Sequence, residues 1–393
     1  MKRFIFTLTL MVALMSAQAQ ILYKISGRGL TAPSYIVGTY HLAPVSFVDS
    51  IPGIRQVMAD CQQVYGELVM ADLLGSDSLA QIQLAMLLPE GMTLDNLLDT
   101  DEMGRLNAYM KQLIGFDMTN PLIAQQMNRM TPSALSTTLS ALSYMKKSGS
   151  INLQNTFDDY FQKEARAQGK GVGGLETVAF QIKTLFQGQT LERQKELLMC
   201  LVDHADFMDE MAENVVRAFF AQDLDAIQKA MEAKLNNSCD NTPEEDAEIL
   251  DKRNADWLTK MPAIMAEKPT LFAVGAAHLY GEKGVLHLLR TAGYTVEENN
   301  AVHVQDKGQF WYFDFTAVMA EDGILVTGDI ILKNARGGRD SRSLTGLENA
   351  VFTAKAPFDL SQLAGTHWMR REVIKKDVEE ILNTLRRIRA IKE

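Results

Sequence analysis

At 393 residues the chain is too long for one small module, and its 47% apolar and 22% charged residues are those of a globular protein with a sizeable core, which excludes wholesale disorder. With 39 Lys+Arg against 49 Asp+Glu the formal net charge is −10, so there is no diffuse attraction to phosphate backbones or anionic lipid. Nucleic acid is not an expected partner.

From the N-terminus, Lys2 and Arg3 form a short positive start, residues 4–15 an apolar run, and Ala17-Gln18-Ala19 the small-x-small pattern that signal peptidases accept. Residues 1–19 therefore read as a secretory signal cleaved near Ala19, the apolar run being too short for the roughly 20 residues that span a bilayer. No Cys follows the cleavage site, so no lipid anchor is indicated. The expectation is a protein exported to the periplasm or secreted, without a stable membrane anchor. An oxidising compartment permits a disulfide. Cys200 and Cys239 share a helix-rich stretch and are the candidate pair, while Cys61 reads as a buried small apolar residue.

The chain after the signal opens as strands. Residues 35–38 and 64–69 are β-rich runs, and residues 54–61 between them carry apolar side chains at helical spacing, the opening of an α/β arrangement. From Ser78 to about Met265 the pattern is helical, punctuated by Pro89, Pro121, Pro132 and Pro243. Thr242-Pro243-Glu244-Glu245 has the hydroxyl cap, proline and returning glutamate of a helix start. The glycine-rich residues 169–174, followed by Leu175 and Glu176, read as a turn running into a short buried segment.

After Pro269 the strand signal returns. Residues 270–274 form an apolar strand, 281–292 an amphipathic helix closed by Gly293, and 294–296 a further strand, a βαβ unit whose ligands gather at the carboxyl ends of its strands. Beyond about residue 300, runs 310–318 and 324–332 flank Asp322-Gly323, a hairpin signal. Ile374, Val378, Ile381, Leu385 and Ile388 then mark one face of an amphipathic helix over 372–391. The expected organisation is a signal over 1–19, a main domain over 20–300 and a C-terminal α+β extension over 301–393.

HExxH, GxSxG and GxxxxGK[ST] are absent, which removes the main support for zincin, α/β-hydrolase and P-loop readings. A pair of short motifs remains. Gly38-Thr39-Tyr40-His41 and Gly275-Ala276-Ala277-His278 each place Gly-x-x-His just after a predicted strand. A strand end holds its side chains rigidly, and the glycine lets the backbone turn close to a ligand. Two imidazoles on adjacent parallel strands could share one metal, with Glu67 as a third ligand or general base. A carboxylate in an apolar strand is costly unless it is paired or bound to a cation. On the residues alone each histidine reads equally as a hydrogen-bonded structural group. His204, His287, His303 and His367 read as structural or surface residues.

In chain order, Gly38 to Leu42, Gly66-Glu67, Gly174-Leu175-Glu176-Thr177 with Gln181, Arg253-Asn254, and residues 273–286 with Leu289 and Gly293-Tyr294 together resemble the TraB/GumN family. That family is similar to the Tiki metalloproteases and to the erythromycin-esterase and ChaN-like proteins. The resemblance covers about residues 21–300 and implies an α/β fold, a central mixed sheet wrapped by helices. It implies that His41 and His278 bind a divalent metal (manganese, cobalt or zinc), with Glu67 as ligand or base. Such a metal activates a water and polarises a carbonyl, giving hydrolysis of a peptide or a small-molecule substrate. By the same resemblance Arg253 stabilises developing negative charge or clamps a substrate carboxylate, and Tyr40, Glu176 and Asn254 stand on the substrate side. Alternatives remain open. Arg253 could instead pair with Glu248, Asp251 or Asp256, and Glu176 could cap the helix starting at Thr177. The pocket as a whole could hold haem or a peptide without turnover, with Tyr40 or His41 as an axial ligand, or the domain could be a scaffold. Residues 301–393 have no counterpart in the family pattern.

Overall fold

The computed structural model describes residues 20–148 and 156–299, together with the backbone of strands 301–307, 311–320, 323–332 and 350–352. The signal-like residues 1–19 and the helix expected over 372–391 lie outside the described residues. Residues 20–300 form one compact unit, and the strands from Ala301 onward belong to another.

The first unit is built on a mixed sheet of β1 (Leu22–Ser26), β2 (Ser34–Thr39), β3 (Gln63–Gly66), β4 (Gly171–Gly174), β5 (Thr270–Gly275) and β6 (Thr295–Glu298), in the order β4-β3-β5-β2-β1-β6. The β4, β3, β5 and β2 strands run parallel, and β1 runs antiparallel to both β2 and β6. All of β2 and nearly all of β5 is buried, as expected of central strands covered by helices on both faces. The expected βαβ unit exists in direction, but its crossover from β5 reaches past β2 and β1 to pair β6 on the far side. Its helix is shorter than expected, Val285–Thr291. Gly281 upstream takes a positive φ of 79°, and residues Ala276–His278 form a single 3-10 turn instead.

The glycine-rich run begins in a turn at Gly169, as expected, and Leu175 and Glu176 after it are buried, but Gly171–Gly174 between them is a strand. A Cβ at Gly173 would run into the Tyr65 ring of β3, and one at Gly174 would stand 2.9 Å from the backbone N of Val69. Glycine weakens a strand, and here it is the condition for two backbones to approach this closely. The β3 strand ends at Gly66, so Glu67 lies in the loop beyond it and not within a strand running to residue 69.

Helices cover the sheet. Phe157, Phe161, Phe219 and Trp257 pack with Ile21, Ile25, Ile36, Val37, Phe272 and Val274 into the main core. A second core, with Leu88, Leu106, Met110, Leu135, Leu139 and Leu198, lies among helices of the middle region. Cys200 and Cys239 are disulfide-bonded as expected. Cys61 is free and buried, and burial pushes its thiol up to about 12. In the second unit β7 (Ala301–Lys307), β8 (Trp311–Ala320), β9 (Gly323–Leu332) and β10 (Ala350–Phe352) form an antiparallel sheet in the order β10-β9-β8-β7. The expected hairpin is the β8–β9 pair, with one further strand on each side. Among the described residues no helix is long and apolar enough to cross a membrane.

Candidate active site at the ends of four parallel strands

The four parallel strands deliver one ionisable side chain each just beyond their carboxyl ends: Glu176 after β4, Glu67 after β3, His278 after β5 and His41 after β2. Register keeps these ends level, with Gly66 opposite both Gly174 and Ala273, and Thr39 opposite Gly275. The two glycines of the Gly-x-x-His motifs have different tasks. The Gly275 N–H donates to Glu67 Oε1 at 2.8 Å, and a Cβ on Gly275 would stand 3.0 Å from that oxygen. A Cβ on Gly38 would stand 3.0 Å from Leu279 Cδ1 and 3.2 Å from Ala276 Cα, blocking the turn that carries His278.

Arg253 ties three of these side chains together. The capping box at Thr242 and Glu245 starts the helix Pro243–Asp246, which passes through a π-helical stretch, Ala247–Asp251, into Lys252–Glu267. Such insertions re-aim the residues that follow them and recur at functional sites. Arg253 Nε donates to Glu176 Oε1 at 2.7 Å, and Nη2 donates to Glu176 Oε2 at 3.0 Å and to Glu67 Oε2 at 2.6 Å. Its Nη1 lies 3.1 Å from His278 Nε2. One helical turn on, Trp257 Nε1 donates to Glu176 Oε1 at 2.8 Å, and the indole packs on the His278 ring at 4.3 Å between centroids. Gln181 Nε2 completes the set with a 3.0 Å bond to Glu67 Oε2.

Two of the open alternatives are thereby decided. Arg253 does not pair with Glu248, Asp251 or Asp256, which are held by Lys252, Lys283 and Lys260 respectively. Glu176 is not the cap of the helix Val178–Phe186, because the Thr177 hydroxyl accepts the Phe180 N–H at 3.2 Å.

A guanidinium can only donate, so His278 Nε2 carries a lone pair and the ring proton sits on Nδ1. That proton is donated to Asn254 Oδ1 at 2.7 Å, and Asn254 Nδ2 in turn donates to Lys283 O at 2.9 Å, which fixes the amide. Burial, with Arg253 acting in the same direction, lowers His278 to about 4, so it is neutral at physiological pH. Burial also opposes ionisation of Glu67, but the His278, Arg253 and His41 side chains and the Gly275 N–H outweigh it and hold the carboxyl below its ordinary value.

His41 is held differently. Its Nδ1 lies 2.6 Å from Asp158 Oδ2, and the Thr39 hydroxyl donates to the other carboxylate oxygen. The imidazole is 69% exposed while Asp158 is 9% exposed, so the pair sits with its anion inside and its ring facing out. The Asp158 charge raises His41 to about 9. Asp158 stands in the first turn of the helix Phe157–Ala167, capped by Thr156. Gln162 of the same helix bonds both Leu68 O, at 2.6 Å, and Met70 N, at 3.0 Å, holding the loop that carries Glu67. Asp158, Gln162 and Trp257 were not singled out from the sequence. An acid in a first helical turn looks like an ordinary dipole or capping residue. The Tyr40 ring packs on Phe219 at 5.5 Å and on Tyr144 at 6.3 Å, and burial pushes its hydroxyl up to about 12.

The motifs that build this arrangement lie within residues 21–298, the stretch matched by the model of the TraB/PrgY/gumN family. The chain belongs to that family. Among curated relatives it is 26% identical over 310 residues to Metalloprotease TIKI2 of Danio rerio, covering 67% of this chain and 58% of the relative. It is 25% identical over 310 residues to Metalloprotease TIKI2 of Xenopus tropicalis, covering 68% and 58%. The chain thus spans about 58% of the length of these relatives. No solved structure matches it.

Because these family relatives are named metalloproteases, the fit of a cation to the strand-end residues matters. Among the described residues no three His, Cys, Asp or Glu side chains are gathered as ligands around one point, and Arg253 Nη1 takes the lone pair of His278 Nε2. The residue types are nonetheless ones that bind divalent cations. Each histidine is tied through Nδ1 to an oxygen acceptor, as metal-binding histidines are, and Glu67 Oε1 lies 3.8 Å from His278 Nε2.

Proposed function

We propose that this TraB/PrgY/gumN-family protein is an exported hydrolase that cleaves peptide bonds, with His41, Glu67, Arg253 and His278 at the reacting centre. The observation that supports it most is the pair of histidines, each tied at Nδ1 by Asp158 or Asn254, beside an ionised Glu67, with Nε2 of His278 facing Arg253 Nη1. A divalent metal ion would be held by His41 and His278 through Nε2, with Glu67 beside them as a further ligand or base, and it would supply an activated water and a polarised carbonyl.

The chain's own residues account for the rest. His41 gives up the proton that Asp158 favours before its Nε2 can act as a ligand. Arg253, its planar guanidinium held on Glu176 through Nε and Nη2, keeps Nη1 beside His278 Nε2, where it can donate to the negative charge that develops on the attacked carbonyl. Glu67, kept ionised and oriented by Gly275 N–H and Gln181, accepts the proton of the attacking water. Asn254 keeps His278 in one tautomer throughout. Export is supported by the signal-like residues 1–19 and by the Cys200–Cys239 bond, which belongs to an oxidising compartment.

The test uses protein from Gln20 onward, stripped with a chelator and reloaded with manganese, cobalt or zinc. Metal content is measured by mass spectrometry and cleavage with a quenched fluorescent peptide library. At least one metal is expected to bind stoichiometrically and restore cleavage, and His41→Gln and His278→Gln to lower the bound metal to background. Wild-type protein that binds none of the three and cleaves no peptide overturns the reading.

A further inference from the structure

We infer that the groove among the helices Thr100–Ile114, Pro132–Ser148, Leu191–Asp203 and Ala205–Phe220 is a substrate subsite that receives an uncharged apolar side chain, aromatic or leucine-like, of a bound peptide. The inference rests on the peptide-hydrolase reading of the strand-end site and names a specificity element for it.

The groove encloses about 500 Å³, within the range that ligand pockets occupy. Tyr109, Tyr144, Leu201, Met208 and Val216 give it an apolar and aromatic lining. The charges at its mouth are engaged with one another or with a neighbouring amide. Lys147 Nζ lies 3.0 Å from Asp209 and 2.7 Å from Glu213, Ser143 Oγ donates to Asp209 at 2.9 Å, and Arg217 donates to Asn214 at 3.0 Å. Two cations, Lys147 and Arg217, therefore face two anions, Asp209 and Glu213, and the mouth carries no net charge. A charged side chain entering it would compete with bonds already made, whereas an apolar one would lose water against the tyrosine rings and aliphatic walls.

Continuity with the reacting centre selects a segment of the substrate as the occupant. The wall residue Tyr144 packs edge-on against Tyr40, and Tyr40 directly precedes His41. Tyr144 and Tyr40 thus join the lining of the groove to the loop that presents His41, and Tyr40 is backed by the buried Phe219. A peptide engaged at His41 has this lining beside it, and a residue on one side of the bond to be cut is the part that reaches the groove.

The probe is a fluorescein-labelled, capped decapeptide of alanine and serine, used as the parent and with a single phenylalanine, lysine or aspartate placed at each position in turn. Binding is read by fluorescence anisotropy on the Glu67→Gln protein from Gln20 onward, which is used to suppress turnover. Phenylalanine at one position or two adjacent ones is expected to tighten binding about tenfold or more over the parent, the factor given by burying one aromatic side chain. Lysine or aspartate at the same positions is expected to give no gain. Two variants fill the groove from different helices, Ala212→Trp and Ser140→Phe, and each is checked for a retained unfolding transition. Either should erase the phenylalanine advantage. Equal affinity for all peptides, an advantage that survives both filling variants, or no binding by any probe overturns the inference. Cleavage of the same peptides by the wild-type protein is scored separately. Cleavage without a phenylalanine advantage removes the subsite and leaves the hydrolase reading standing, while an advantage without cleavage keeps the groove and removes the hydrolase reading.

Discussion

At the carboxyl ends of β4, β3, β5 and β2 the side chains kept from water include Glu176, Asp158, Arg253 and His278, with Glu67 only 12% exposed, each bonded to at least one of the others or to His41. In the helical middle region the corresponding places are filled by Leu88, Leu106, Met110, Leu135, Leu139 and Leu198. Its charges stand in pairs nearer the surface, such as Arg105 with Asp203 and Arg193 with Glu245. The contrast is informative because buried ion pairs are poor sources of stability, their desolvation offsetting most of the attraction, whereas apolar packing of helices contributes stability directly. An array of buried charges at the ends of parallel strands is what a reacting centre requires. A leucine and methionine cluster has no such reason to exist beyond packing.

The largest effect should come from opening the charged array. Arg253→Leu leaves Glu67 and Glu176 buried without their cation and is expected to lower unfolding stability by about 3–5 kcal/mol. Adding Glu67→Gln and Glu176→Gln to that variant should recover much of the loss. Urea unfolding of the single and triple variants checks it, and a loss below about 1 kcal/mol for Arg253→Leu would show that the carboxylates are not dependent on it. Next in size, Leu139→Ala empties a fully buried position of the helical core and should lose about 2–4 kcal/mol, with cleavage per folded molecule retained. A drop in activity without a drop in stability would break the division of labour between the two regions.

The smallest effect sharpens the comparison at a pair outside the centre. The Arg193 hydrogen bonds hold Glu245 below its ordinary value of 4.5, so the unfolded chain takes up this proton first as the pH falls. The contribution of the pair is present above about pH 4.5 and is lost as the pH drops through the lower folded value. Both partners are partly exposed, so the size is about 1 kcal/mol or less. Unfolding stability measured from pH 7 to pH 3 should fall less steeply below pH 4.5 for Glu245→Gln than for the wild type.

The parts of the molecule differ in how far the sequence exposes them. The Gly-x-x-His pair was readable because strand period, glycine and histidine coincide at two places, and the β2–β5 pairing then puts those places side by side. The helix start at Thr242 was readable from its capping box, and the Cys200–Cys239 pair from a shared helical neighbourhood. The β4 strand was hidden because its glycines signal a turn in isolation. Only the Tyr65 ring and the Val69 backbone, more than a hundred residues away, require them. Asp158 was hidden for a related reason. Nothing local distinguishes it from Asp159 beside it, and its partner His41 is brought to it by the packing of the helix Phe157–Ala167 against the sheet. The partners of Arg253 were left open because the sequence offers only near neighbours such as Glu248, Asp251 and Asp256, whereas the helix that follows the π-helical stretch carries the side chain to Glu67 and Glu176.

The central claim is that the strand-end array performs peptide hydrolysis, and Glu67→Gln tests it most directly. The substitution keeps the side chain's size and an oxygen for the Gly275 N–H while removing the charge that the proposed base role of Glu67 requires. Peptide cleavage should fall by about 10²–10⁴-fold with the cooperative unfolding transition retained. Cleavage at the wild-type rate by the folded Glu67→Gln protein would contradict the account.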